Sequence, residues 1–185
     1  MKKLGIIFLI VLGIVVTAYF FVGPIMRKIT KKHSPETTIY YQENGHDLSL
    51  YYNQPSMKGR KIFGNLIPYG KVWRTGANEA TAFNTSKDIN VAGKPLPSGT
   101  YTLWTIPEKE NWTVIFNSKS YDWGVALKGT KIEPSREPEF DVLAITVPVI
   151  EQAKATERFT FAFENTDELM LTMIWENTKL EIPIK

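Results

Sequence analysis

Residues 157–185 read ERFTFAFENTDELMLTMIWENTKLEIPIK and contain the clearest structural pattern in the chain. Aromatic residues occupy every second position from Phe159 to Phe163, and aliphatic residues every second position from Leu180 to Ile184. A period of two is typical of a β-strand with one buried face. Asn165-Thr166-Asp167 and Glu176-Asn177-Thr178 have the composition of tight turns. The pattern therefore predicts a meander of three strands: Glu157–Glu164, Leu169–Trp175 and Lys179–Ile184.

The same enrichment in aromatic and β-branched residues continues upstream, where turn signals separate short runs. Asn44-Gly45 is a strong hairpin signal, and prolines and glycines mark a turn between Gly93 and Gly99. We expect an all-β domain over residues 37–185, an antiparallel β-sandwich or partly open barrel of about nine to ten strands. The upstream strands are predicted at Thr37–Gln42, Asp47–Asn53, Thr81–Ser86, Asp88–Val91, Thr100–Ile106, Trp112–Asn117 and Phe140–Val147. Core packing is expected for Trp104, Trp112, Trp123 and Trp175.

An apolar run, Leu4–Val22, precedes this domain and carries no charge over 19 residues. As a helix it would be about 28 Å long, close to the hydrocarbon thickness of a bilayer. The run predicts one N-terminal transmembrane helix within residues 1–25, followed by a basic juxtamembrane stalk at residues 26–36 and by no further amphipathic helix. Its bulky aromatic end favours an uncleaved anchor, and a cleaved signal peptide is the alternative.

The charge distribution indicates a membrane as a partner and gives no sign of nucleic-acid binding. Six of the 22 basic residues flank the apolar run, and all 19 acidic residues follow it, so the rest of the chain has a net charge of −3. Basic flanks are attracted to anionic headgroups. Because basic residues lie on both sides of the run, charge alone does not decide the orientation.

The inventory of catalytic residues is small. The chain has no cysteine, which excludes disulfides and thiol catalysis, and only two histidines, His33 and His46. It has neither a Walker-type phosphate loop nor a dinucleotide-binding glycine motif. The sequence predicts no cofactor and no metal site.

One stretch, residues 53–80, breaks the strand pattern and is called the irregular segment below. It reads NQPSMKGRKIFGNLIPYGKVWRTGANEA and contains five basic residues against one acid, Glu79. Long irregular connections inside compact domains are often functional. Its many apolar side chains argue against disorder.

This segment resembles the hallmark of a bacterial family of unknown function, DUF family 2911. The matching run is GRKIFGNLIPYGKVWRTGANEAT, from Gly59 to Thr81, and Leu96–Pro107 and Trp112–Asn117 resemble the next blocks of the family. The resemblance covers roughly residues 45 to 185. Members are typically exported, which implies a periplasmic β-domain here, and the resemblance implies no reaction.

The residue types of the irregular segment predict a site for a small anionic or carbohydrate ligand. Arginine offers a planar fork for carboxylate or phosphate, and asparagine adds an amide. Aromatic rings can stack on a sugar or another planar group. The candidate ligand-binding residues are Arg60, Lys71, Arg74, Asn78, Glu79, Tyr69 and Trp73.

Three alternatives stay open at this point. In the first, these residues complete the fold: Arg74 and Glu79 form an ion pair, Asn78 caps the loop backbone and the aromatic residues pin it to the sandwich. In the second, the domain is a hydrolase in which Glu79 works with another carboxylate. Its candidate partners are Asp122, Glu139 and Asp141. In the third, an exposed sheet edge recruits a protein partner in an assembly role.

Overall fold

The N-terminal residues form two helices. The computed structural model describes residues 2–18, 20, 23–165 and 167–185. Helix α1 spans Lys2–Thr17 and helix α2 spans Gly23–His33. Tyr19, Phe21 and Val22 of the predicted span, and Thr166 of a predicted turn, lie outside the described residues. In the ranges that the structure describes, no helix is both long enough and apolar enough to cross a membrane.

Helix α2 occupies most of the segment that we predicted as a basic stalk, so the expectation of no helix after the apolar run was wrong. Its last turn contains Lys31, Lys32 and His33. Cations at this position interact favourably with the partial negative charge at a helix C-terminus. The helix ends just before Ser34 and places its basic end against the β-domain, as described below.

Twelve β-strands lie in the described part of the chain, more than the nine or ten predicted. All pairings between them are antiparallel. The strands are β1 (Glu36–Tyr41), β2 (Leu48–Asn53), β3 (Ala82–Thr85), β4 (Ile89–Val91), β5 (Lys94–Leu96), β6 (Gly99–Ile106), β7 (Asn111–Asn117), β8 (Val125–Lys128), β9 (Lys131–Pro134), β10 (Asp141–Pro148), β11 (Ile150–Asn165) and β12 (Leu169–Ile184).

Two sheets pack face to face as a sandwich, which confirms the predicted all-β, antiparallel class. One sheet has the order β1-β2-β3-β6-β7-β10 and the other β11-β12-β4-β5, while β8 and β9 form a separate hairpin. The inward faces of both sheets contribute to one apolar core. Tyr52 links them directly: its hydroxyl accepts a hydrogen bond from the Phe161 N–H at 3.0 Å and donates to the Phe161 carbonyl at 3.3 Å.

The tryptophans divide between core and surface. Trp104, Trp112 and Trp175 are buried, as predicted, whereas Trp123 is 45% exposed and the prediction for it was wrong. Trp123 belongs to the connection between β7 and β8, where no sheet covers it. Its backbone carbonyl accepts a hydrogen bond from the side chain of Arg74 in the irregular segment.

The predicted meander at the C-terminus is instead one long hairpin. Residues 176–178, predicted as a turn, lie within β12, and the two predicted strands on either side are parts of this single strand. Glu176 has a left-handed φ of 54°, and the register with β11 shifts between Glu151 and Thr160. A β-bulge accommodates such a residue without ending the strand. Polar residues in a strand can therefore indicate a bulge as well as a turn.

Two further elements were missed. Lys94–Leu96 form β5 inside the region predicted as a turn, where they pair with β4. Residues 125–134, for which no strands were predicted, form the β8–β9 hairpin. Both are short, and neither shows the sustained alternation of a strand with one fully buried face.

The bulge in β12 holds the irregular segment in place. The Glu176 carboxylate accepts hydrogen bonds from the backbone N–H groups of Ile62 and Phe63, each at 3.2 Å. Ile62 and Phe63 are themselves buried in the core. One side chain therefore binds two backbone donors of a segment that has no regular strand partner of its own.

We expect Glu176→Ala to lower the free energy of unfolding by about 1–3 kcal/mol, because two partly buried N–H groups lose their acceptor. Equilibrium denaturation of the full chain, followed by tryptophan fluorescence, measures this difference.

Glu168→Ala is the matched control, since Glu168 is a half-exposed carboxylate that pairs with the exposed Lys185 at 3.3 Å. Its loss is expected to cost less than about 1 kcal/mol. Equal losses in the two variants would contradict the role given to Glu176.

Candidate functional site

The irregular segment is tied to both sheets along its length. Trp73 and Thr105 exchange two backbone hydrogen bonds, of 2.7 and 2.9 Å, which join the segment to β6. On the other side, the Met57 N–H donates to the Glu157 carbonyl at 2.8 Å and the Phe159 N–H donates to the Pro55 carbonyl at 2.9 Å. The segment is consequently part of the folded scaffold, and its side chains have defined positions.

Its two candidate stacking residues pack into the protein. The Trp73 ring is stacked on Trp175 with centroids 6.1 Å apart and contacts Phe159 at 5.3 Å, and its indole N–H donates to the Gly76 carbonyl at 3.1 Å. Tyr69 covers Gly64, where an added Cβ would lie 2.6 Å from the tyrosine ring. Both aromatic residues therefore pin the segment. Trp73 is nevertheless only half-buried, and its remaining surface faces a cavity.

That surface forms the floor of a cleft between the irregular segment and the β8–β9 hairpin. Two adjoining cavities, of about 400 and 570 Å³, make up the cleft. Their volumes are within the usual range for small-molecule sites. The residues that line both cavities are Leu66, Ile67, Val72, Trp73, Ile132 and Pro134.

The hairpin presents an apolar face to this cleft. Val125 is paired with Pro134 and Leu127 with Ile132, so these four side chains share one face of the two strands. Ile132 and Leu127 are 74% and 72% exposed. The opposite face carries Lys128 and Glu133, whose charged groups are 3.8 Å apart. The hairpin is thus amphipathic, and its apolar side is not closed against the rest of the protein.

Arg74 is positioned beside the base of the hairpin. Its Nη1 donates to the Trp123 carbonyl at 3.0 Å, and Gly124, with φ +64°, packs so tightly that an added Cβ would lie 3.2 Å from the Arg74 Cβ. Burial lowers the pKa of the Arg74 guanidinium, and the negative charge of Glu79 opposes this shift. The group stays cationic at neutral pH because the ordinary arginine pKa is so high.

Two more candidate cations lie at the cleft. Arg60 donates from Nε to the Met57 carbonyl and from Nη2 to the Ser56 carbonyl, each at 2.8 Å, and lines the 400 Å³ cavity together with Arg74. Lys71 is exposed and lines the 570 Å³ cavity. The structure thus brings Arg60, Lys71, Arg74 and Trp73 to one place. It leaves Tyr69, Asn78 and Glu79 out of the walls described for these two cavities.

Glu79 and Asn78 belong to a separate polar cluster at the end of α2. Glu79, which is 9% exposed, accepts a hydrogen bond from the fully buried Asn53 amide at 3.2 Å and lies 3.6 Å from Lys31 Nζ. Asn78 donates to the Ser34 carbonyl at 3.4 Å. The salt bridge found for Glu79 among the described residues is therefore with α2, whereas the bound partner of Arg74 is the Trp123 carbonyl.

The other candidate carboxylates are engaged elsewhere or exposed. Asp141 forms a salt bridge with Arg136 and accepts a hydrogen bond from Asn117 at 2.8 Å. Glu139 is exposed in a short 3-10 helix, and the backbone carbonyl of Asp122 accepts from the Ala80 N–H at 3.0 Å. Among the described residues, no group of three or more histidines and carboxylates is arranged to hold a metal ion.

Several wall residues escaped the sequence analysis. Ser34, Ile132 and Pro134 line the cleft but lie outside the irregular segment, and Asn53 and Lys31 hold Glu79. The one local signal for the hairpin is Gly129 between the apolar residues Leu127 and Ile132, which is typical of a turn.

The Glu79 cluster also affects Tyr51, whose hydroxyl donates to the Glu36 carboxylate at 3.0 Å. Burial, the hydrogen bond to Glu36 and the negative charges of Glu79 and Glu36 raise the pKa of Tyr51 from 10.0 to about 12. In the unfolded chain the phenol loses its proton near pH 10. The unfolded state therefore binds fewer protons than the folded state between pH 10 and 12, and stability falls with rising pH in that window.

We expect the stability of the wild-type chain to fall more steeply between pH 10 and 12 than that of Tyr51→Phe. Denaturation midpoints of the two proteins across this range test the difference, because all other alkaline titrations are common to both. Parallel pH profiles would contradict the raised pKa of Tyr51.

The comparisons with known proteins give one family match, and it covers the β-strands. No curated protein and no solved structure matches the chain. One family, described as "Protein of unknown function (DUF2911)", matches residues 34–184, so the match begins at Ser34, the first residue after α2. It includes the whole irregular segment and the hairpin. The chain belongs to the DUF2911 family of proteins of unknown function.

Proposed function

We propose that this chain is a non-enzymatic binding module, tethered to a membrane through Leu4–Val22, with an exported β-domain that binds a small organic anion in the cleft. The observation that carries the ligand proposal is the position of Arg74, a half-buried cation in a largely apolar cavity. A charge in such surroundings interacts strongly with an ion of opposite sign because water screens it poorly.

The composition of the cavity wall supports an anion over a neutral sugar. Arg60 and Arg74 both line the 400 Å³ cavity, and no carboxylate is found among the described residues of its wall. Guanidinium groups bind carboxylates and phosphates through charge-assisted hydrogen bonds. The ring of Trp73 is stacked on Trp175 and contacts Phe159, so only part of its surface is left for a ligand.

A hydrolase based on Glu79 has less support. The Glu79 carboxylate is held by Asn53 and Lys31, outside the walls of the cleft. A carboxylate acid–base pair needs a second carboxylate across the substrate. Asp141, one of the three candidates for that partner, is already bound by Arg136 and Asn117. Binding without catalysis is therefore the function that we propose.

We expect benzoate to bind the full chain in neutral-lipid nanodiscs, as measured by calorimetry, and benzamide, its uncharged analogue, to bind much more weakly. Arg74→Gln should weaken benzoate binding about tenfold or more, because a charge-assisted hydrogen bond contributes about 1.5–3 kcal/mol. Arg60→Gln is the second variant, useful if Arg74→Gln alters the fold as judged by circular dichroism.

Lys154→Gln, which removes an exposed cation of β11, is the matched control and should bind benzoate like the wild type. Equal affinity for benzamide and benzoate, absence of benzoate binding, or an equal effect of Lys154→Gln and Arg74→Gln would overturn the proposal.

Membrane attachment and export rest on the sequence of the N-terminal region. Leu4–Val22 is uncharged, and basic residues lie on both sides of it. Large apolar side chains of α1, among them Phe8, Leu9 and Ile14, are more than 60% exposed, which a lipid environment would cover. Family membership carries the expectation of export.

We expect a periplasmic phosphatase fused after Lys185 to be active in a bacterial host, and the fusion to sediment with membranes. Deletion of residues 2–22 should abolish both properties, because it removes the apolar run. A fluorescent cytoplasmic reporter that is bright at the same position, with a silent phosphatase, would contradict the exported orientation.

A further inference from the structure

We infer that the anion of the cleft carries a linear hydrocarbon chain, so that the ligand class is a single-chain alkyl carboxylate. This inference rests on the proposed function and specifies its ligand. It is based on the apolar face of the β8–β9 hairpin, because an anion without a hydrocarbon chain would make no contact with that face.

The hairpin face is unusual for a protein surface. Leu127 and Ile132 are directly opposite each other and are 72% and 74% exposed, while Lys128, Lys131 and Glu133 lie on the other side. An amphipathic hairpin normally turns its apolar side into the core. Here Val125, Ile132 and Pro134 of that side line a cleft whose opposite wall includes Leu66, itself 46% exposed. Leu127 lies outside the walls described for the two cavities. Two apolar walls are thus held apart with space between them.

The shape of the space suits an extended ligand. Arg60 and Arg74 line the 400 Å³ cavity, and the 570 Å³ cavity extends past Val72 and Pro68 along the hairpin. The wall of this second cavity also includes one cation and one carboxylate residue, Lys71 and Glu133. The two share six wall residues and adjoin each other. A carboxylate at the guanidinium groups therefore leaves its chain room to lie between the irregular segment and the hairpin, with Trp73 beneath it.

The chemistry of the walls matches the two parts of such a molecule. The guanidinium groups provide charge complementarity for one carboxylate. The apolar contacts come from Leu66, Val72, Ile132 and the exposed part of Trp73. Burial of these side chains against a hydrocarbon chain is favourable because it removes apolar surface from water. Ser34, the first residue after α2, also lines the cleft.

The test is a chain-length series from butanoate to octanoate, titrated calorimetrically into the full chain in neutral-lipid nanodiscs, with protein-free nanodiscs subtracted. Each buried methylene contributes about 0.8 kcal/mol, so affinity should rise about fourfold per added methylene. Octanol should bind much more weakly than octanoate, because it lacks the charge for Arg74.

Ile132→Ser should flatten this dependence on chain length and leave the fold intact, since Ile132 is 74% exposed. Val142→Ser, which changes an exposed apolar residue of β10 outside the cleft, is the matched control and should keep the wild-type slope. If benzoate binds but affinity does not rise with chain length, or rises equally in Ile132→Ser, the chain inference fails and the anion site stands. If benzoate does not bind, the proposed function fails, and the chain inference, which rests on it, fails with it.

Discussion

The arrangement of this domain depends on two hydrogen bonds that the Glu176 carboxylate accepts from the backbone of the irregular segment. A segment of nearly thirty residues without regular structure lies across a sandwich, and its buried backbone groups need partners. Glu176 provides two of these partners. It lies at a bulge in β12, has a left-handed φ, and its side chain accepts hydrogen bonds from the N–H groups of Ile62 and Phe63. Ile62 and Phe63 are buried in the core, and the chain that follows them pairs with β6 through Trp73 and Thr105. The cleft lies between this segment and the β8–β9 hairpin.

The aromatic cluster explains how the same segment can serve the core and a surface site. Trp73 packs against Phe63, Phe159 and Trp175 on one side and lines the cleft on the other. Its contact with the core fixes the position of the ring, so the cleft has a rigid floor. A preformed site loses less conformational entropy when a ligand binds. Structural and binding roles of this segment are therefore compatible, although the sequence alone presents them as alternatives.

The features that could be predicted from the sequence are those whose pattern lies within one short segment of the chain. Strands with one buried face, such as β10 and the Phe159–Phe163 part of β11, repeat their pattern locally, so they could be predicted. The bulge at Glu176 was mistaken for a turn because both contain polar residues. The grouping of Arg60, Arg74 and Trp73 was predictable because they belong to one segment. Ile132 and Lys31 could not be assigned, since they approach that segment only through the tertiary fold and nothing local marks the contact.

The charge of Arg74 is the remaining argument for a ligand. Burial makes a cation less stable, and its lowered pKa expresses that penalty. The Glu79 charge reduces the penalty, but Glu79 also carries the contacts with Asn53 and Lys31. The guanidinium has five donors, and within the described residues its recorded hydrogen bond is to one backbone carbonyl. In the function proposed above, a second negative group, brought by the ligand, completes the environment of Arg74.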